Sequence, residues 1–257
     1  MQLTDAQRET LLQYTLYAEQ WFSSRGLAMH VQTDFNQFQQ LLSHFGYERF
    51  EHRNPGFDPR HTDVDASNAL FIWIEQDGQP VATVAGRAVD VDDIGELFRS
   101  GRIFYGRGGK PADFQCDLLT DRLDGLHGRL AVGASAFVVP SLQNRNAPAH
   151  LRGIATRIVL LIRSLLHRRF EPDYYTALIR DTLVGKGMDR GTYRHQRGAE
   201  PWLKALDGDI YGILERPDEV VSAIALYLAE SQSTGAETKM RPVTVTPLSE
   251  VGQTPPM

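Results

Sequence analysis

The chain has 257 residues, 42% hydrophobic and 23% charged, with a formal net charge of −5, so neither a disordered chain nor a generally basic nucleic-acid surface is expected. This length suits one large domain, or a smaller core with additions. The single cysteine, Cys116, excludes an internal disulfide, no apolar run reaches the ~20 residues of a membrane span, and the polar start MQLTDAQRET lacks a secretion signal, so a cytoplasmic location is expected.

Thr4 and Asp5 predict a capped helix over 6–22, with Leu11, Leu12, Tyr14, Thr15 and Ala18 near one face and Gly26 at its end. A first strand follows over 27–32 and a helix over 34–45 carrying Phe35, Phe38, Leu41, Leu42 and Phe45. Residues 47–61, with Asn54-Pro55-Gly56 and Asp58-Pro59, read as a loop. Strands over 69–75 and 81–91 are joined by Asp77-Gly78, a strong hairpin signal.

Residues 92–128 form an insertion, with a helix near 94–99 and irregular chain beyond it. Its Gly106-Arg107-Gly108-Gly109-Lys110 run lacks the spacing of a phosphate loop, because Pro111 follows the lysine. The run 129–140, RLAVGASAFVVP, is apolar or small throughout, as in a strand buried on both faces. After a polar loop, Gly153-Ile154-Ala155 opens a long helix. Leu151, Ile154, Ile158, Leu161, Ile162 and Leu165 share one face; Arg152, Arg157, Arg163, Ser164, His167 and Arg168 fall mostly on the other, which is expected to meet solvent. A short strand over 174–179, a helix or turn over 181–188 and a hairpin of 200–206 with 209–215 around Gly208 complete the pattern.

Strand, small-residue turn and helix N-terminus together make an anion site. The first four N–H groups of a helix have no intrahelical partner and carry the positive end of its dipole, and small residues let a phosphate approach them.

The segment His150-Leu151-Arg152-Gly153-Ile154-Ala155 and the order of its neighbours resemble the GCN5-related N-acetyltransferase (GNAT) superfamily, whose core motif runs from a strand through Gln/Arg-x-x-Gly-x-Gly/Ala into a helix. Gly153 and Ala155 match the small positions, while His150 replaces the Gln or Arg and extra residues separate Pro140 from the turn. The resemblance covers roughly residues 27–216. It implies an α/β (α+β) fold with a mixed, mostly antiparallel sheet, a splayed central strand pair and flanking helices. The expected organisation is an N-terminal helix over 1–26, the acyltransferase domain over 27–230 and an extended or disordered Pro-, Ser- and Thr-rich tail over 231–257.

The activity so implied is transfer of an acyl group, acetyl first, from acyl-CoA to an amine of a small molecule or peptide by direct attack, with no metal. Phe137, Val138 and Val139 would hold the pantetheine arm, and Arg152, Gly153, Ile154, Ala155, Thr156 and Arg157 the pyrophosphate. Arg53, Phe57, Arg60, His61 and Asp63 are candidate acceptor contacts, with a solvated loop as the other reading. Many members place a Tyr a few residues before a Gly-Phe pair as acid for the leaving thiolate; here Gly187-Met188 stands at that pair and 181–186 holds no Tyr. Tyr193 is the nearest phenol, and His195 the nearest group that titrates near neutrality. Asp181 and Glu200, near strand ends, are the candidate bases.

Two alternatives accompany this reading. The loop 141–149 and the insertion also resemble the N-acyl amino acid and acyl-homoserine lactone synthases, which take acyl chains from acyl carrier protein. Arg163, His167, Arg168 and Arg169 would then face the acidic carrier, or else simply complement the helix C-terminal dipole. The missing Tyr also permits a noncatalytic CoA-binding regulatory module. A second copy of the chain, in a homodimer, is the remaining partner considered.

Overall fold

The computed structural model describes residues 3–45, 54–106, 116–143, 146–180, 199–205 and 208–233. Among them, strands β1 (Leu27–Gln32), β2 (Ala69–Gln76), β3 (Gln79–Val91), β4 (Cys116–Leu118), β5 (Gly128–Val138), β6 (Tyr174–Arg180), β7 (Glu200–Ala205) and β8 (Gly208–Glu215) form one sheet in the order β1-β2-β3-β5-β6-β8-β7-β4. All neighbours are antiparallel except β5 and β6. The helices are α1 (Asp5–Ser23), α2 (Phe35–His44), α3 (Ile94–Arg99), α4 (Arg102–Tyr105), α5 (Ile154–Phe170) and α6 (Pro217–Ser233).

Local chemistry sets many boundaries. Thr4 and Gln7 form a reciprocal capping box at the start of α1, and the Asp34 carboxylate accepts from the N–H groups of Asn36 and Gln37 at the start of α2. Asp77-Gly78 closes the β2–β3 hairpin as expected. Helix α5 lies directly on the sheet where Gly86 and Gly133 pair across β3 and β5. A Cβ at Gly86 would strike the Leu166 side chain, and one at Gly133 would strike the Tyr175 hydroxyl. Side chains alternate along a strand, so Ala85 and Arg87 face away from α5.

Helices α1, α5 and α6 cover one face around Leu11, Tyr14, Phe22, Ile158, Ile162 and Ile224. The opposite face holds an aromatic cluster of Phe35, Phe38, Phe57 and Phe71, and beside it a second cluster of Ile94, Phe98, Ile103, Leu130 and Trp202.

Three expectations are corrected. The polar side of α5 does not meet solvent: α1 runs antiparallel along it, and Arg163, Ser164 and His167 are 0% exposed. The Ser164 hydroxyl donates to the Leu11 carbonyl at 2.7 Å. The insertion is less irregular than its composition suggests, since it contributes α4 and the edge strand β4, which pairs with β7. Residues 217–233 form α6, whose Val220, Val221, Ile224 and Leu228 are buried, so ordered helix extends past the start expected for the tail. The element expected over 181–188, the Arg107–Lys110 part of the glycine-rich run and residues 234–257 lie outside the described residues.

Under α1 the Arg163 guanidinium donates to both oxygens of Glu215, and His167 Nδ1 lies 2.8 Å from the Arg163 carbonyl oxygen. Burial lowers His167 from 6.5 to about 4, so it stays neutral in the folded protein. A depressed folded value gives stability that is present above the unfolded pKa and lost as pH falls from 6.5 through about 4. That gap corresponds to about 3 kcal/mol. Urea denaturation of wild type and His167→Asn at pH 7, 5 and 4 checks it. The wild-type advantage should shrink by this order across the range, and two parallel curves would place the acid sensitivity elsewhere.

Candidate functional site

Strands β5 and β6 pair only from Leu130 to Gly133 with Tyr174 to Ala177. Beyond that point β5 stays with β3 and β6 with β8, so the two parallel strands diverge. A bulge marks the divergence: three residue steps from Ala134 to Phe137 oppose two from Ala85 to Thr83, and Ser135 takes φ 55°. The Val139 N–H donates to the Val81 carbonyl at 2.9 Å. Alternation then turns the Val138 N–H and carbonyl away from β3, toward the opening. There the Val138 carbonyl accepts from the Gln143 side-chain amide at 2.6 Å.

If an incoming amide must displace Gln143 from that carbonyl, Gln143→Ala removes the competitor. A hydrogen bond of about 1 kcal/mol corresponds to roughly fivefold tighter binding of a ligand lying along β5. Calorimetric titration with CoA tests this, and weaker binding in Gln143→Ala would make Gln143 part of the site instead.

Past β5, the turns Pro140–Leu142 and Ala149–Leu151 carry the chain to Gly153, the N-cap of α5, which has φ 85° and no side-chain cap. The Arg157 N–H makes the first helical bond, to the Gly153 carbonyl at 3.1 Å. The N–H groups of Ile154, Ala155 and Thr156 therefore precede the helical ladder. Arg157 lies 3.9 Å from the Trp21 ring centroid and donates to the Arg152 carbonyl at 3.2 Å. Arg25 lies 4.2 Å from the same ring and donates through Nε to the His150 carbonyl at 2.8 Å. Among the described residues neither Arg152 nor Arg157 pairs with a carboxylate. Positive charge thus surrounds an uncapped helix N-terminus.

The expected donor-binding residues lie at the end of β5 and at the start of α5. Val138, Leu142, Leu151 and Ile154 share one core cluster, which joins the end of β5 to the turn. Trp21 and Arg25 lie outside the segment of resemblance; their signal in the sequence is an aromatic and a cation at i and i+4, at the end of a helix.

Other candidates are placed differently. Glu200 opens β7, where it accepts from Arg122 at 2.5 Å and from the Trp202 indole at 3.2 Å. Strand β8 lies between β7 and β6, so Glu200 stands two strands, about 10 Å, from the β6 side of the opening. It borders a cavity of about 600 Å³ with Trp202, Glu215, Glu219 and Leu226. Phe57 is 1% exposed within the aromatic cluster, which corrects its reading as an acceptor contact. Arg60 is held by Asp58, whose carboxylate accepts from its Nε at 2.9 Å. His61 and Asp63 are exposed, and the His61 ring meets Tyr105 edge-on at 5.9 Å. Arg53, Asp181, Tyr193 and His195 lie outside the described residues. Among the described residues no three His, Cys, Asp or Glu side chains are grouped to hold a metal, and no helix is long and apolar enough to cross a membrane.

No family model matches the chain, and no curated protein matches it. Among solved structures it is similar to a GNAT-family acetyltransferase from Streptococcus agalactiae 2603, at 11% identity over 74% of this chain and 95% of that one, with a TM-score of 0.36. It is also similar to aminoglycoside N-acetyltransferase AAC(6')-Ib11, at 13% identity over 75% and 98% of the two chains, with a TM-score of 0.35. Likenesses this loose transfer neither a residue nor an activity. The strand order, the single parallel pair, its divergence after Gly133 and the glycine-opened helix between its strands stand on their own, and they give the mixed, mostly antiparallel sheet with a splayed central pair and flanking helices that the sequence resemblance implies.

Proposed function

We propose that the protein is an N-acyltransferase that moves an acyl group, acetyl in the first instance, from acyl-CoA to an amine by direct attack. The observation that carries this reading is the coincidence of two features. The parallel strands open at Gly133, and the same strand leads into an uncapped helix N-terminus flanked by Arg152 and Arg157. The donor set suits CoA: N–H groups and guanidinium groups for the pyrophosphate, and the outward N–H and carbonyl of Val138 for a pantetheine amide.

In the reaction the neutral amine forms a C–N bond at the thioester carbonyl, charge collects on the carbonyl oxygen, and the C–S bond breaks to release CoA thiolate. The acceptor amine gives up a proton and the thiolate gains one. Tyr193 and His195 remain the candidates for handling these protons, with Asp181 as the candidate base.

CoA is favoured over a carrier protein as donor by what became of the expected basic face. Arg163 and His167 are buried, the Arg168 guanidinium donates to Thr15 at 3.3 Å, and that of Arg169 donates to the Ala66 carbonyl at 2.8 Å.

Thermal denaturation with CoA, acetyl-CoA and a longer acyl-CoA, followed by thiol release across a panel of amines, tests the proposal. Stabilisation with amine-dependent thiol release is the expected result. Stabilisation without release from any amine would favour the noncatalytic module, and no stabilisation would overturn the CoA reading.

A further inference from the structure

Trp21, in the last turn of α1, is 4% exposed and stands against the turn that opens α5. Two guanidinium groups share its ring, that of Arg157 at 3.9 Å and that of Arg25 at 4.2 Å from the centroid. Each also grips a carbonyl of the turn. Arg25 donates through Nε to the His150 carbonyl at 2.8 Å, and a terminal nitrogen of Arg157 donates to the Arg152 carbonyl at 3.2 Å. Arg25 is held further by the Trp21 carbonyl at 3.1 Å and the Ser24 hydroxyl at 2.9 Å. The Tyr17 hydroxyl at 3.5 Å and the Tyr227 ring at 5.7 Å also face Arg157, but the indole is the nearest ring that holds it. Trp21 is therefore the middle of a clamp that runs from the His150 carbonyl through both cations to the Arg152 carbonyl.

The clamp acts on the backbone that a phosphate would meet. The Arg152–Gly153 peptide is trans, so its N–H points opposite to its carbonyl, and a bond that pins the carbonyl also aims the N–H. Among the described residues the Gly153 N–H has no backbone partner, which adds it to the open donors of Ile154, Ala155 and Thr156. Glycine adopts either sign of φ with equal ease and Gly153 has no side-chain cap, so α5 by itself leaves this peptide free to turn. The choice of an aromatic holder also matters. A carboxylate would fix a guanidinium but cancel its charge, whereas an indole holds it through the ring quadrupole and leaves the charge for an anion.

We propose that Trp21 is a positioning residue for the phosphates of the acyl donor: by holding Arg25 and Arg157 it sets the direction of the Gly153 N–H, which makes α1 part of the donor site. This rests on the acyl-transfer reading above. The competing role is packing alone, since Trp21 also meets Phe22 edge-on at 5.3 Å and belongs to the core beneath α1.

Calorimetric titration of the full chain with CoA tests this, with circular dichroism to confirm folding. Trp21→Met fills much of the same space without a ring and should weaken CoA binding about tenfold. Trp21→Phe restores a ring face and should stay within about threefold of wild type. In an Arg157→Met background, Trp21→Met should cost less than about threefold more, because the ring acts largely through that guanidinium; a packing role predicts the same loss in both backgrounds. Arg157→Lys keeps the charge but not the planar group that stacks, leaves the Trp21 core intact, and should lose about tenfold. Wild-type affinity in folded Trp21→Met or in Arg157→Lys, Trp21→Phe as weak as Trp21→Met, or equal losses in the two backgrounds would each overturn the proposal. Failure of the wild type to bind CoA would instead strike the acyl-transfer reading beneath it.

Discussion

Gly153→Glu abolishes CoA binding, with a loss of at least about a hundredfold, roughly 3 kcal/mol or more, while the fold is retained. Gly153 sits at φ 85°, so any substitution there carries about 1 to 2 kcal/mol of left-handed strain. The strain is small beside the effect on binding. A glutamate at this position is drawn to the same N–H groups and the same end of the dipole as a phosphate. Its Cβ would also arrive beside the Arg157 guanidinium, so the carboxylate would neutralise a cation that the pyrophosphate needs. Gly153→Asn separates strain from charge, since Asn tolerates the left-handed region and adds no anion; it should lose less than about tenfold. Calorimetric titration, with circular dichroism to confirm folding, reads both variants. Wild-type affinity in folded Gly153→Glu would remove the turn as the phosphate site.

Arg163→Met destabilises the protein by about 3 to 5 kcal/mol at pH 8, because it leaves the Glu215 carboxylate buried without its cation. Burial already raises Glu215 from 4.5 to about 7, even with Arg163 beside it. A raised folded value means stability that is fully present below the unfolded pKa and lost as pH rises through the folded value. The deficit of Arg163→Met should therefore shrink toward pH 5, where Glu215 holds a proton. The double variant Arg163→Met with Glu215→Leu should recover to within about 1 kcal/mol of wild type, since an apolar pair of similar size removes the desolvated charges. Urea denaturation at pH 5 and 8 checks both. An Arg163→Met protein as stable as wild type at pH 8 would mean that the pair contributes nothing to the fold.

This ion pair also shows where sequence reading ends. Elements fixed by neighbouring residues were legible: the Thr4 box, the Asp77-Gly78 hairpin and the glycine that opens α5 all declare themselves within a few positions. Arg163, Ser164 and His167 form a polar stripe that looks solvated in isolation. Its burial depends on α1, from the other end of the chain, and on Glu215, which α5 alone does not reveal. Helix α6 was readable from Pro217, Asp218 and the spacing of Val220, Val221, Ile224 and Leu228, but the tail composition beyond it masked that signal. For Glu200, closeness to a strand end suggested a catalytic base, whereas the sheet order interposes β8 between its strand and β6.

Hydrogen–deuterium exchange with and without CoA tests the central claim most directly, because the claim names the backbone groups that the ligand covers. The prediction is selective slowing at Phe137 to Val139 and at Ile154 to Arg157, with little change along α2 or β1. Protection confined to other segments, or no protection at either of these two in the presence of saturating CoA, would contradict it.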